Sequence, residues 1–129
     1  MTEKEQISQE LIQCAEKSGL IETIAEFFGK SAQVALPLSK DVCERPLEEL
    51  DLSARAANGL HRDRRFFIGD VVDAINSGAL RKIRNIGAGS EMEIREKLLL
   101  YSYDALTERE KCSFFLDVIE RNTMAVKKM

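Results

Sequence analysis

Residues 83–90 read Ile-Arg-Asn-Ile-Gly-Ala-Gly-Ser, and no other stretch limits the fold of this chain as much. Apolar residues at helical spacing flank it, with Leu80 and Ile83 before it and Met92, Ile94, Leu98 and Leu99 after it. Two helices must therefore be joined by a tight turn that carries glycines two positions apart, Gly87 and Gly89. Glycine has no Cβ and tolerates φ > 0, so backbone at such a turn can pass very close to another group. Ser90 is expected to cap the second helix. The first N–H groups of that helix lack intrahelical partners, and its dipole is positive at that end. A turn of this kind can hold a phosphate oxygen without reading base sequence. The same eight residues also suit an ordinary αα-hairpin that needs glycine at a cap.

The rest of the 129 residues agree with a helical chain: two prolines, seven glycines, no tryptophan, and 44% apolar residues. That balance predicts an all-α protein with a real core. Thr2 with Glu5 forms a capping-box pattern, and Ile7, Leu11, Cys14 and Ala15 follow at helical spacing. Gly19 interrupts this helix, and a second over Leu20–Phe28 ends at Gly29. Residues 30–46 contain Pro37 and Pro46 and read as a linker with a short extended piece at Val34–Leu36. Ser53 caps a helix over Ala54–Leu60 that closes near Gly59, and Phe67, Ile68, Val71, Val72 and Ile75 carry the next. Thr107 with Glu110 opens a last helix bearing Phe114, Phe115, Val118 and Ile119. The expected organisation is an N-terminal helical arm and linker over 1–44, a central module over 45–100, and a C-terminal helix and tail over 101–129. In the module, Ala57, Leu60, Ile68, Val71, Ile83, Ile86, Ile94 and Leu98 are the expected core. Phe27, Phe28, Phe114 and Phe115 are too apolar to stay solvated, so the terminal helices should pack on the module or on a second copy. A homodimer is among the expected states.

Net charge is −3, which advertises no polyanion partner, but its distribution is uneven. From Met1 to Glu44 there are 4 basic and 8 acidic residues, from Ser53 to Lys97 9 and 6, and from Tyr101 to Met129 5 and 5. A modestly basic middle follows an acidic arm. Cys14, Cys43 and Cys112 are too far apart for a CxxC metal knuckle and read as reduced, mostly core-filling thiols of a cytoplasmic protein. The first residues are too charged for a signal peptide, and no apolar run approaches the ~20 residues that cross a bilayer, so no membrane partner is expected. His61 beside Arg62-Asp63-Arg64-Arg65 reads as surface. No phosphate-binding P-loop, HExxH or dinucleotide fingerprint is present, so neither catalysis, metal nor cofactor is expected.

Arg45-Pro46-Leu47-Glu48-Glu49-Leu50-Asp51-Leu52-Ser53-Ala54-Arg55-Ala56-Ala57-Asn58-Gly59-Leu60 resembles the opening of the C-terminal domain of the bacterial RNA polymerase α subunit. Ile68-Gly69-Asp70-Val71 resembles its next landmark, and Leu80–Gly87 with Ser90 and Glu93-Ile94 resembles its helix-hairpin-helix. Together they cover residues 45–98 in the family's order. The resemblance implies a compact helical domain that binds A/T-rich minor groove and phosphate backbone, and that docks on RNA polymerase, a sigma factor or a transcription activator. It implies that Arg55 enters the minor groove, where narrow A-tracts concentrate negative potential. Asn58 would hydrogen-bond nearby backbone or a base edge. Lys82, Asn85, the amide of Gly87, and Ser90 would clamp phosphates, and Gly59 and Gly89 belong to the same implied DNA-binding set. The chain departs from the family at Ala88 and Gly89, where lysines or other polar residues are common. Weaker phosphate attraction would follow. The alternative is a protein-interaction module that keeps the fold, has little DNA binding of its own, and uses the acidic flanks to engage polymerase, a regulator or a second copy. The flanks do not resemble the polymerase subunit, so the expectation is either a free-standing protein that carries such a module or a divergent fragment, and a capped helix directly after Met1 favours the former.

Overall fold

The capping signals at Thr2, Ser53 and Thr107 have counterparts in the computed structural model, which describes residues 2–127. Among them are seven α-helices, α1 (Glu3–Ser18), α2 (Leu20–Phe28), α3 (Lys40–Cys43), α4 (Ala54–Arg62), α5 (Ile68–Asn76), α6 (Ala88–Asp104) and α7 (Glu108–Lys127), with 3-10 turns at Leu47–Leu50 and Leu80–Lys82. The described residues hold no strand, only one isolated antiparallel bridge between Pro46 and Phe67. The protein is all-α. None of its described helices is long and apolar enough to cross a membrane. Two compact units make up the fold: one runs to Pro37 and resumes at Leu106, the other is Leu38–Ala105.

In the first unit the Thr2 hydroxyl accepts the Glu5 N–H at 3.2 Å and starts α1. Gly19, at φ +97°, ends it and lets α2 begin at the next residue. Helices α1 and α7 pack together. Their buried faces carry Leu11 and Ile12 on one side and Phe114, Phe115, Val118 and Ile119 on the other. The Ser8 hydroxyl donates to the Cys112 carbonyl at 2.8 Å between them. The Thr107–Glu110 capping box is reciprocal: Thr107 N–H donates to the carboxylate at 2.9 Å and Glu110 N–H to the hydroxyl at 3.2 Å. The Glu110 carboxyl is accordingly held below its ordinary range, mainly by the Thr107 backbone N–H. Val34–Leu36 has no sheet to join. Instead the Asn122 side chain pairs with the main chain of Gln33, accepting its N–H at 2.9 Å and donating to its carbonyl at 3.0 Å.

The second unit corrects several expectations. The linker contains α3, whose N-terminus is capped by the Ser39 hydroxyl on the Val42 N–H at 3.2 Å. Val42 is buried where α3 packs on α5, and Gly69 permits that approach, because a Cβ there would lie 3.0 Å from the Cys43 carbonyl. Helix α4 continues past Gly59 to Arg62 and buries Ala56, Gly59 and Leu60, so the core face falls on Ala56 in place of Ala57. Phe67 is the N-cap of α5, not part of it. The Asp70 carboxylate accepts the Phe66 and Phe67 N–H groups at 3.1 and 3.0 Å. Leu60, Ile68, Val71, Ile83, Ile86, Ile94 and Leu98 are buried as expected, joined by Leu47, Leu50 and Leu80. The three cysteines are free and partly exposed, not core. Within the single chain Phe27 is 53% exposed, whereas Phe115 is fully buried.

These burials set a measurable contrast. Leu98→Ala should destabilise the Leu38–Ala105 unit by about 2–5 kcal/mol, as removal of a fully buried leucine side chain does. Phe27→Ala should cost less than about 1 kcal/mol, because its ring is half in water. Urea unfolding of both variants checks the pair.

Candidate nucleic-acid interface

Ser53 begins the site. Its hydroxyl accepts the Ala56 N–H at 3.3 Å, which starts α4, and donates to Glu93 of α6 at 2.8 Å. The Ser53 N–H also donates to Glu93, at 2.5 Å. Glu93 thus ties the N-terminus of α4 to the first half of α6. Its carboxyl is held below the ordinary range, chiefly by the Ser53 backbone N–H, with help from the Ser53 hydroxyl and Lys97 against the effect of burial.

Gly59 faces the hairpin at the middle of α4. A Cβ built on it would come 2.7 Å from Cδ1 and 3.2 Å from Cγ1 of Ile86, and 3.8 Å from the Arg84 carbonyl oxygen. The missing side chain therefore lets the hairpin lie directly on α4. Its neighbour Asn85 takes the left-handed conformation, φ +71°, which asparagine tolerates better than most residues. Gly87 does not take it. Gly87 is extended at φ −95° and serves as N-cap of α6, with no side-chain hydrogen bond at that cap. Nothing lies within 4 Å of a Cβ placed on Gly87 or Gly89. Their value is thus the open approach to the α6 N-terminus, and the turn itself is made at Asn85. Ser90 sits in the first turn of α6, not at its cap.

Arg55, Asn58, Gly59, Arg62 and Asn85 line one surface depression of about 260 Å³. The four expected residues Arg55, Asn58, Gly59 and Asn85 are therefore brought together. Arg55, Asn58 and Asn85 are exposed around it while Gly59 is buried at its floor. Lys82, Gly87 and Gly89 are exposed and Ser90 half-buried on the adjoining turn and α6 start, outside the lining. Arg62 was missing from the expected set because the helix was expected to close near Gly59. The signal was present, since 55, 58, 59 and 62 follow the i, i+3, i+4, i+7 rule for one helix face. His61, expected in solvent, is half-buried, stacks on Phe66 with 5.7 Å between ring centres, and places Nε2 3.2 Å from Glu48.

Charge pairing is unequal across this unit. Arg45, Arg65, Arg81, Arg95 and Lys97 each meet a carboxylate. Arg81 and Arg95 both hold Glu91, whose carboxyl is lowered first by Arg81. Arg55, Arg62, Lys82 and Arg84 form no ion pair among the described residues. No cluster of His, Cys, Asp or Glu among those residues is arranged to hold a metal.

Two helices closing on a short turn, the second with an open N-terminus, define a helix-hairpin-helix domain. The family model for the C-terminal domain of the bacterial RNA polymerase alpha subunit matches residues 37–99. The protein is 36% identical over 89 residues to the DNA-directed RNA polymerase subunit alpha of Roseiflexus sp. (strain RS-1), covering 64% of its own length and 27% of that relative. It is 46% identical over 59 residues to the same subunit of Fervidobacterium nodosum, covering 46% and 18%. It thus carries a domain like the C-terminal domain of the bacterial RNA polymerase α subunit, and spans about a quarter or less of the length of these relatives. No solved structure matches it.

Glu93→Gln should loosen the α4–α6 tie by roughly 1.5–3 kcal/mol at neutral pH, the scale of a hydrogen bond to a charged group. The folded carboxyl titrates below its unfolded value, so its contribution is complete above about pH 4.5 and is lost as pH falls through the lowered folded value. Thermal melts between pH 7 and 3 should show the gap between wild type and variant narrowing with acid.

Proposed function

We propose that the Leu38–Ala105 unit is a DNA-binding domain with a role in transcription, gripping the phosphate backbone and an A/T-rich minor groove through α4 and the hairpin. The observation that carries this reading is the convergence of Arg55, Asn58 and Asn85 on one exposed depression that no carboxylate lines. Arg55 enters the groove, where a guanidinium is favoured by narrow A-tracts. Lys82 supplies charge to the backbone, and the open amides at Gly87, Gly89 and Ser90 meet a phosphate at the positive end of α6. The role is binding, with no catalytic step. RNA polymerase, a sigma factor or an activator are its protein neighbours in the cytoplasm, and the flanking segments over 1–44 and 101–129 are attachments to the module over 45–100.

A second reading, protein docking, is favoured by a different surface. Phe66 and Phe67 are 50% and 52% exposed, and Phe67 borders a depression of about 460 Å³ with Cys43, Glu44, Val72 and Asp73. An acidic rim around apolar groups suits a positively charged segment of a partner protein.

Titration of labelled A/T-rich and G/C-rich duplexes at two salt concentrations separates the two. DNA binding releases counterions, so affinity should fall steeply with salt, Arg55→Ala should remove the A/T preference, and Lys82→Ala should weaken both duplexes alike. Wild-type protein that binds neither duplex in a salt-sensitive way would leave protein docking as the function.

A further inference from the structure

We infer that Arg62 binds a DNA phosphate, seated with Asn58 and Asn85 beside the groove that Arg55 enters. The inference rests on the DNA-binding reading above and adds to it a contact and the strand element it takes.

Arg55, Asn58 and Arg62 share one face of α4, and Asn85 reaches the same depression from the hairpin. The lining thus offers two guanidinium groups and two carboxamides, each able to donate N–H bonds, and no carboxylate. Such a donor set suits an oxyanion, and the planar fork of arginine matches two phosphate oxygens. Arg62 is exposed and meets no carboxylate among the described residues, whereas neighbouring Arg65 is held by Asp63 at 3.1 Å. Two unpaired cations on one face repel each other weakly in water and together attract a polyanion.

Spacing assigns the phosphate. Seven residues of α-helix rise about 10 Å. The minor groove is about 6 Å wide. With Arg55 inside the groove, Arg62 therefore lies past its edge, at the level of the backbone. The need for such a cation is also local. The first turn of α6 runs Ala88, Gly89, Ser90 and Glu91 and contains no basic residue, so amides alone face a phosphate there. Beyond Lys82 on the hairpin, side-chain charge for the backbone comes from α4.

Arg62 is also the last residue of α4, where a cation balances the negative end of the helix dipole. That role would appear in stability and be met equally by lysine. The test uses the full-length protein with Arg62→Ala, Arg62→Gln and Arg62→Lys, the two labelled duplexes, a salt series and thermal melts. Arg62→Ala and Arg62→Gln should weaken both duplexes by roughly tenfold. They should reduce the salt slope by about 0.9, the value for one phosphate. The A/T preference should remain. Arg62→Lys should keep the slope and bind more weakly than wild type for want of the fork. Wild-type affinity and slope in the alanine and glutamine variants, while Arg55→Ala behaves as proposed, overturn the inference alone. A loss confined to the A/T-rich duplex overturns it too, by making Arg62 a groove reader. Absent salt-dependent binding in wild type overturns both the DNA reading and this contact.

Discussion

A side chain at position 59 would have to displace the end of the Ile86 side chain, which packs there. This steric fact organises the candidate face. Because residue 59 is glycine, the hairpin rests on α4 through Ile86, which is buried, and the turn at Asn85 is carried to the edge of the Arg55–Arg62 stripe. Glycine inside a helix costs up to about 1 kcal/mol relative to alanine. Here that cost is set against the close approach of two segments separated by more than a helix in sequence. The other end of α4 is fixed by a polar contact, Ser53 on Glu93, so the stripe is held at both its start and its middle.

Electrostatics follow from the same frame. Arg45, Arg65, Arg81, Arg95 and Lys97 meet carboxylates on their own or a neighbouring element. Glu91 takes both Arg81 and Arg95, and Glu93 takes Lys97. Glu91 stands in the first turn of α6, near the open amides, where an unpaired carboxylate would repel a phosphate. Two arginines offset that charge. Arg55 and Arg62 of α4 and Lys82 and Arg84 at the hairpin, with Lys40 and Arg64 elsewhere, form no ion pair among the described residues. A domain with an ordinary overall charge can in this way present a local positive face, which is what a phosphate contact senses within a Debye length of about 10 Å.

Much of this was legible in the sequence. The all-α class, the hairpin and the helix starts at Thr2, Ser53 and Thr107 rest on short-range capping and spacing, which a linear reading captures. So do the resemblance to the polymerase domain and the buried Leu60, Ile68, Ile86 and Leu98. The failures share a physical cause, because each depends on a partner distant in the sequence. Gly59 reads locally as a helix stop, and only the Ile86 contact explains a glycine inside α4, and with it the exposure of Arg62 on the same face. Gly87 reads as the positive-φ residue, but the turn places that demand on Asn85. Helix α3 is four residues long, too short for periodicity to register, and forms where Val42 packs on α5. Phe27 reads as a packed ring by composition alone, and within the single chain α2 turns it outward and buries Leu20, Thr23 and Ile24.

The central claim is that the face joined at Gly59 and Ile86 is where DNA sits. Backbone amide NMR shifts of the labelled full-length protein, followed during addition of an A/T-rich duplex at low salt, locate the contact residue by residue. The account predicts that the largest shifts fall on residues 55–62 and 82–90, and that they vanish at high salt. Shifts confined to the surface around Phe66, Phe67 and Asp73, or no shifts at all, would contradict it.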